Sequence, residues 1–199
     1  PGMYIGGVDS AGLHHLIWEI LDNAVDEAMN GHASRIDVTL HADGSTVTIS
    51  DNGRGIPIDI HPKFKKPALE LILTTLHAGG KFEGLNYSHS GGLHGVGASV
   101  VTALSDSLIA RVRRGGTEWE QRFSQGRAVS GLKQIGPARG SGTTMIFHPD
   151  AEIFPSIVFK PKLIADRLET KAYLHKGLTL VFHNEATKEE TKYFHEDGL

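Results

Sequence analysis

Apolar residues at Leu13, Leu16, Ile17, Ile20, Ala24 and Ala28 recur every three or four positions, the spacing of one helical face. They predict a helix from Ser10 to Asn30, with Gly31 as its stop. The period then changes to two. Ile36, Val38 and Leu40 alternate with Asp37 and Thr39, Asp43-Gly44 supplies a turn, and Thr46 to Ile49 reads as the returning strand of a hairpin. The run Asp51-Asn52-Gly53-Arg54-Gly55-Ile56-Pro57 ends that strand, because glycine and proline at these spacings forbid regular structure. Leu69, Ile72, Leu73 and Leu76 give Ala68 to His77 a helical face, and Val96 to Leu104 reads as another helix. The rest reads as strands at Ser107 to Arg113, Glu118 to Phe123, Ala128 to Ile135 and Thr143 to Phe147, with a helix over Lys162 to Leu174. Leu178 to Phe182 and Lys192 to His195 form a closing pair. No repeat, low-complexity tract or linker interrupts this order, so residues 1–199 are read as a single α+β unit, a two-layer sandwich of helices over a largely antiparallel mixed sheet.

Composition narrows the function. With 199 residues, 39% of them hydrophobic, the chain can bury an ordinary core. Its 20 Lys+Arg against 23 Asp+Glu leave a formal charge of −3, which gives no broad positive face for gripping nucleic-acid phosphates, so any such role is indirect. The absence of cysteine excludes disulfides, thiolate metal sites and cysteine nucleophiles. No apolar run approaches the ~18 residues of a membrane span, and Pro1-Gly2-Met3-Tyr4 has no signal-peptide character, which leads to a cytoplasmic reading with no membrane partner. Opening on proline and stopping at Leu199, the chain reads as a fragment of something longer.

Three segments can carry chemistry. On the first helix, His15, Glu19, Asn23 and Glu27 fall four apart, a stripe bordering the apolar face with no lysine or arginine to offset it. Carboxylate and amide oxygens suit Mg²⁺, and a solvated helix face is the alternative. Asp51, at a strand end, can accept from an exocyclic amine while Gly53 and Gly55 let a flat ring approach and Ile56 and Pro57 supply an apolar wall; an ordinary turn is the alternative. Gly79, Gly80, Gly84, Gly91, Gly92, Gly95 and Gly97 then crowd a short stretch that runs into a helix, where free backbone N–H groups make an anion site; a flexible hinge is the alternative. The stretch is neither a P-loop nor a clear dinucleotide fingerprint. His61, His148 and His183, and the basic clusters Lys63-Lys65-Lys66 and Arg111-Arg113-Arg114, read as surface or structural features.

Glu19-Ile-Leu-Asp-Asn23, Asp51-Asn-Gly-Arg-Gly55 and Gly91-Gly-Leu-His-Gly-Val-Gly97, in that order, resemble the ATP-binding motifs of the GHKL superfamily, which contains DNA gyrase, Hsp90-type chaperones, histidine kinases and MutL. Pro1-Gly-Met-Tyr-Ile-Gly6, Asp22-Asn-Ala-Val-Asp-Glu-Ala28, Leu76-His-Ala-Gly-Gly-Lys-Phe82 and Ser90-Gly-Gly-Leu-His-Gly-Val-Gly97 narrow the resemblance to the N-terminal ATPase domain of bacterial type IIA topoisomerase B subunits, gyrase and topoisomerase IV alike. The resemblance implies a Bergerat-type fold that binds ATP with Mg²⁺. In the full enzyme it implies closure of a dimer gate, with a second B subunit, an A subunit and DNA as partners.

Position by position, the resemblance implies Glu19 as general base supported by His15, Asn23 as Mg²⁺ ligand, and Asp51 as acceptor of the adenine amine, assisted through water by Thr143. It also implies Gly55, Ile56, Pro57 and Ile72 as adenine pocket and a Glu27–Arg54 salt bridge at the edge. Gly79, Gly80, Lys81 and Tyr87 would sit on a lid, Gly92, Leu93, His94, Gly95, Val96 and Gly97 would donate to the phosphates, and Arg114 would be a rim residue for aminocoumarin inhibitors. An N-terminal arm and a transducer domain belong to this family's pattern and are missing from the sequence. The expectation is therefore an isolated nucleotide-binding unit, monomeric and slow to hydrolyse. The competing readings are a chaperone or signalling domain with the same pocket, disfavoured by the His-Ala-Gly-Gly-Lys-Phe segment and the lack of a phosphoacceptor helix pair, and a nucleotide sensor, disfavoured by Glu19.

Overall fold

The computed structural model describes residues 6–76 and 96–196. Helix α1 (Ser10–Met29) starts where the Asp9 side chain accepts the Gly12 N–H at 2.9 Å, satisfying one of the free donors of its first turn. After it come β1 (Arg35–Leu40), β2 (Val47–Asp51), α2 (Ala68–Thr74), α3 (Val96–Ala103), β3 (Ser105–Arg114), β4 (Thr117–Ser124), β5 (Arg127–Ala128), β6 (Lys133–Pro137), β7 (Gly142–Pro149), α4 (Pro161–Leu174), β8 (Thr179–Asn184) and β9 (Glu189–Tyr193). The strands form one sheet in the order β5-β4-β3-β7-β2-β1-β8-β9, with β6 also paired to β4. Among the described strands the β1–β8 pair is parallel and the others are antiparallel.

The alternation read in the sequence becomes the two faces of this sheet. Ile36, Val38, Leu40, Val47, Ile49, Leu108, Ala110, Val112, Met145, Phe147, Leu180 and Phe182 are buried in a core shared with α1, α3 and α4. Asp37, Thr39, Thr48, Ser50, Arg111 and Thr144, one residue out of phase, are half-buried on the opposite face. Strand β2 lies centrally, between β7 and β1, and its last residue, Asp51, stands opposite Thr143 of β7. The end of a central strand is thereby brought beside α1.

Three elements differ from the sequence reading, the first being the closing strand, which runs Glu189–Tyr193 in register with β8 rather than over Lys192 to His195. The strand expected over Ala128 to Ile135 is split into β5 and β6, because the chain jogs at Ser130: its hydroxyl accepts the Arg122 N–H at 3.0 Å and its carbonyl accepts from Gln121 Nε2 at 3.1 Å. Helix α2 ends at Thr74, where the Thr74 hydroxyl donates to the Glu70 carbonyl and Thr75 turns extended, rather than running to His77. Among the described residues no helix is long and apolar enough to cross a membrane.

His14 ties α1 to the segment that leads into α4. Its Nδ1 lies 2.7 Å from the Ser10 carbonyl, an acceptor only, so Nδ1 carries the proton and Nε2 accepts the Lys160 N–H at 2.9 Å. Desolvation lowers its pKa below the ordinary 6.5, outweighing the Ser10 carbonyl, which favours the proton. The unfolded chain therefore binds the proton more readily, and stability falls as the pH drops below 6.5. Urea unfolding of the wild type at pH 7.5 and 5.5 should register this loss, and a His14→Gln variant, less stable at pH 7.5, should lack that part of the pH dependence.

Candidate nucleotide site

The polar stripe of α1 bridges two glycine turns. At one end, His15 Nε2 lies 2.7 Å from Glu19 Oε1, an i,i+4 pair in which both side chains are about one-third exposed. Gly97, in the first turn of α3, packs so closely on Glu19 that a Cβ there would collide with Oε2. At the other end, Glu27 is 3% exposed and holds Arg54 by three contacts: the Arg54 N–H at 3.0 Å, Nε at 3.3 Å and Nη2 at 2.6 Å. Burial opposes the charge on Glu27, but the hydrogen bonds from Arg54 outweigh it and hold the carboxyl below its usual range. A Cβ on Gly53 would lie 2.7 Å from Glu27 Oε2, so glycine is what allows the Asp51 turn to lie against α1. Asn23 stands between the two ends, half-buried, and its amide makes no hydrogen bond with the described residues.

Asp51 is held by one oxygen. Oδ1 accepts the Gly53 N–H at 2.9 Å and lies 3.4 Å from the Thr143 N, while no described residue bonds Oδ2. Desolvation by burial pushes the carboxyl up to about 6; nearby Glu27 adds to the rise, and the Gly53 and Thr143 N–H groups and Arg113 oppose it. A carboxylate raised this far, with one oxygen that no described residue bonds, is suited to accept from a ligand's donor.

Around it, the Thr143 hydroxyl accepts the Ile56 N–H at 3.0 Å, and the Ser141 hydroxyl donates to the Gly53 carbonyl. Asn52, the middle residue of the turn, faces away and takes the Ser34 and Arg35 N–H groups at 2.8 and 3.0 Å, anchoring the loop to the start of β1. Gly55 has φ +83°, a left-handed conformation, and a Cβ there would lie 2.8 Å from the Arg113 carbonyl and 2.9 Å from Arg114 Cγ. Ile56 and Pro57 are buried, and Ile72 of α2 is partly buried against the same hydrophobic core.

The structure therefore gathers His15, Glu19, Asn23, Glu27, Asp51, Arg54, Gly55, Ile56, Pro57, Gly97 and Thr143 on the helix-covered side of the sheet, at the end of β2. Gly79, Gly80, Lys81, Tyr87, Gly92, Leu93, His94 and Gly95 lie outside the described residues, and Val96 opens α3. Of the basic cluster read as surface or structural, Arg111 is paired with Glu120, but its neighbours reach the site. Arg114 donates to the Gly55 carbonyl, and Arg113 donates to the Asp51 carbonyl at 3.2 Å. Arg114 was expected at the rim; Arg113 carried no sequence signal, since the alternation of β3 puts adjacent arginines on opposite faces but does not give the order of the strands. Ser141, in an irregular Gly-Ser-Gly run, carried no sequence signal.

Gly97→Ala is expected to push the Glu19 carboxylate out of its position at little cost in stability, because the colliding atom ends a flexible, one-third exposed side chain; chemical denaturation should stay within ~1 kcal/mol of wild type.

The family model described as "Histidine kinase-, DNA gyrase B-, and HSP90-like ATPase" matches residues 8–153. The whole chain aligns with the B subunit of DNA topoisomerase 4 from Streptococcus pneumoniae at 50% identity, covering 31% of that protein. It aligns equally completely with the DNA gyrase B subunit of Haloferax volcanii at 46% identity, covering 32%, and with that of Helicobacter pylori strain 26695 at 48%, covering 26%. The chain thus spans between a quarter and a third of the curated relatives it matches. Among solved structures, the 43K ATPase domain of Thermus thermophilus gyrase B, crystallised with an aminocoumarin, superposes with a TM-score of 0.88 at 44% identity over 98% of this chain and 49% of that one.

Proposed function

The chain belongs to the histidine kinase-, DNA gyrase B- and HSP90-like ATPase family, and from that premise we propose that it is the ATP-binding and hydrolysing unit of a type IIA DNA topoisomerase, from the B subunit of gyrase or topoisomerase IV. The observation that carries this reading is Asp51, a buried strand-end carboxylate with one oxygen fixed by backbone N–H groups and the other bonded by no described residue, on the same side as the Glu19–His15 pair. In this reading residues 1–199 form one nucleotide-binding unit. The longer protein works in the cytoplasm with a second copy of itself, an A subunit and DNA.

Each role follows from its residue's chemistry. The ionised Asp51 accepts the exocyclic amine of adenine through Oδ2 and so selects adenine over a base that presents a carbonyl there. Ile56, Pro57 and Ile72 supply the apolar wall, and Arg54, fixed by Glu27, presents a planar cation at the ring's edge. Arg114, bonded to the Gly55 carbonyl, stands at the rim where an aminocoumarin would compete. Glu19 takes the proton of the water that attacks the γ-phosphate, and His15, 2.7 Å away, orients the carboxylate and stabilises its charge.

The residues present fit Mg²⁺, because Asn23 offers an amide oxygen not used by any described residue, the hard neutral ligand that magnesium takes alongside phosphate oxygens. When bound, the ion neutralises charge on the phosphates. Asn23 would hold it and Glu19 would remain free for the water.

Calorimetric titration with a non-hydrolysable ATP analogue and Mg²⁺ tests the reading. One-to-one binding, displaced by an aminocoumarin, is expected. Absence of binding by either ligand would overturn it.

A further inference from the structure

Arg113 lies on the face of the sheet opposite the nucleotide side, out of phase with buried Val112. Its guanidinium spans three strands. From β3 it passes β7, where Nη1 donates to the Thr144 hydroxyl at 3.1 Å, and reaches β2, where Nη2 donates to the main-chain carbonyl of Asp51 at 3.2 Å. Thr144 is itself tied to Ser50 at 2.8 Å. This path exists because residue 142 is glycine: a Cβ there would collide with the Asp51 carbonyl and lie 2.5 Å from Arg113 Nη2. Glu118 touches Nη1 at 3.4 Å and leaves Nη2 to Asp51.

We propose that Arg113 is a positioning residue for the adenine acceptor, pinning the Asp51 carbonyl from behind the sheet and setting a positive charge behind its carboxylate. The proposal rests on the nucleotide reading of Asp51 but concerns a residue on the opposite face of the sheet. The charged groups around Asp51 make the role specific. From α1, Glu27 raises the cost of ionising Asp51, and Arg54 from the turn is committed to Glu27 by its N–H, Nε and Nη2. Arg114 of β3 is turned to the Gly55 carbonyl. Arg113 is a cation whose field favours the Asp51 carboxylate, although its Nη1 also meets Glu118 at 3.4 Å.

The test separates this role from the nucleotide reading. In the nucleotide-free chain, the carboxyl ¹³C resonance of Asp51, assigned by its loss in Asp51→Asn, is titrated between pH 4 and 8. Arg113→Gln should raise the midpoint by roughly half a unit, modest because the guanidinium is partly solvated, whereas Arg113→Lys, which keeps the charge, should stay close to wild type. Affinity for the ATP analogue should then fall about twofold at pH 6 in Arg113→Gln and stay unchanged at pH 8, following the ionised fraction. An unmoved midpoint, an equal shift in Arg113→Lys, or equal weakening at every pH would overturn the proposal. If the wild type binds no adenine nucleotide, the reading of Asp51 as adenine acceptor falls, while the resonance titration still decides whether Arg113 sets the charge of Asp51.

Discussion

Asp51→Asn is expected to abolish measurable binding of the ATP analogue and, in the same variant, to make the nucleotide-free chain more stable at neutral pH. Both effects come from one buried charge. Asparagine keeps an oxygen for the Gly53 and Thr143 N–H groups but puts an N–H₂ where Oδ2 was, so the amine of adenine meets a donor instead of an acceptor. A buried unsatisfied pair of donors costs ~1–3 kcal/mol on each side, which places the loss at roughly 10²-fold or more. The stability effect has the opposite sign. The Asp51 carboxyl is pushed from 3.8 up to about 6 by desolvation, so folding favours its neutral form, and the benefit is fully present below pH 3.8 and lost as the pH rises through about 6. At pH 8 the ionised side chain burdens the empty fold by up to ~3 kcal/mol, and asparagine removes that burden. Urea unfolding should show Asp51→Asn more stable than wild type at pH 8 and level with it near pH 4. A variant that loses binding and stability together would mean that Asp51 serves the fold rather than the ligand.

The same ionisation sets the pH range of binding. Only the charged form accepts the amine with both partners satisfied, so wild-type affinity should be flat above pH 7 and about tenfold weaker at pH 5, as the charged fraction falls below a midpoint of about 6. Calorimetry in buffers of different ionisation enthalpy would show about half a proton released on binding near pH 6 and close to one near pH 5.

How far the sequence disclosed this site depended on whether the contacts were local. The α1 stripe was legible because four-residue spacing fixes one helical face, and the His15–Glu19 pair is such an i,i+4 contact. Its depth was not legible: Glu27 is buried because Gly53 and Arg54, more than twenty residues on, pack against it. Asp51 was legible as a strand end before a glycine turn, but its raised pKa comes first from burial in the assembled fold, with Glu27 of α1 adding to the rise and Arg113 of β3 opposing it. Arg113 escaped notice because its role requires knowing that β3, β7 and β2 are consecutive in the sheet, an order that hydrophobic alternation does not encode. The split between β5 and β6 was hidden for a related reason. It is fixed by Gln121 and Arg122 of the neighbouring strand meeting Ser130, while the segment's own residues read as continuous.

Glu19→Gln is expected to separate binding from chemistry. Glutamine is close in size and can keep the contact with His15, so the packing on Gly97 and the stripe along α1 survive, and affinity for the ATP analogue should remain within about threefold of wild type. What disappears is the ability to accept a proton. General-base catalysis contributes typically ~10²–10⁴ to a rate, and single-turnover hydrolysis with protein in excess over ATP should fall by that factor in Glu19→Gln. His15→Ala should fall less, because it removes the hydrogen bond that orients Glu19 while leaving the carboxylate in place. The order of these losses is diagnostic. If His15→Ala were as damaging as Glu19→Gln, the imidazole rather than the carboxylate would be taking the proton, and the 2.7 Å contact would run with the roles reversed. If Glu19→Gln lost binding while turnover per bound nucleotide survived, Glu19 would belong with Asp51 and Asn23 as a residue that holds the nucleotide or its metal.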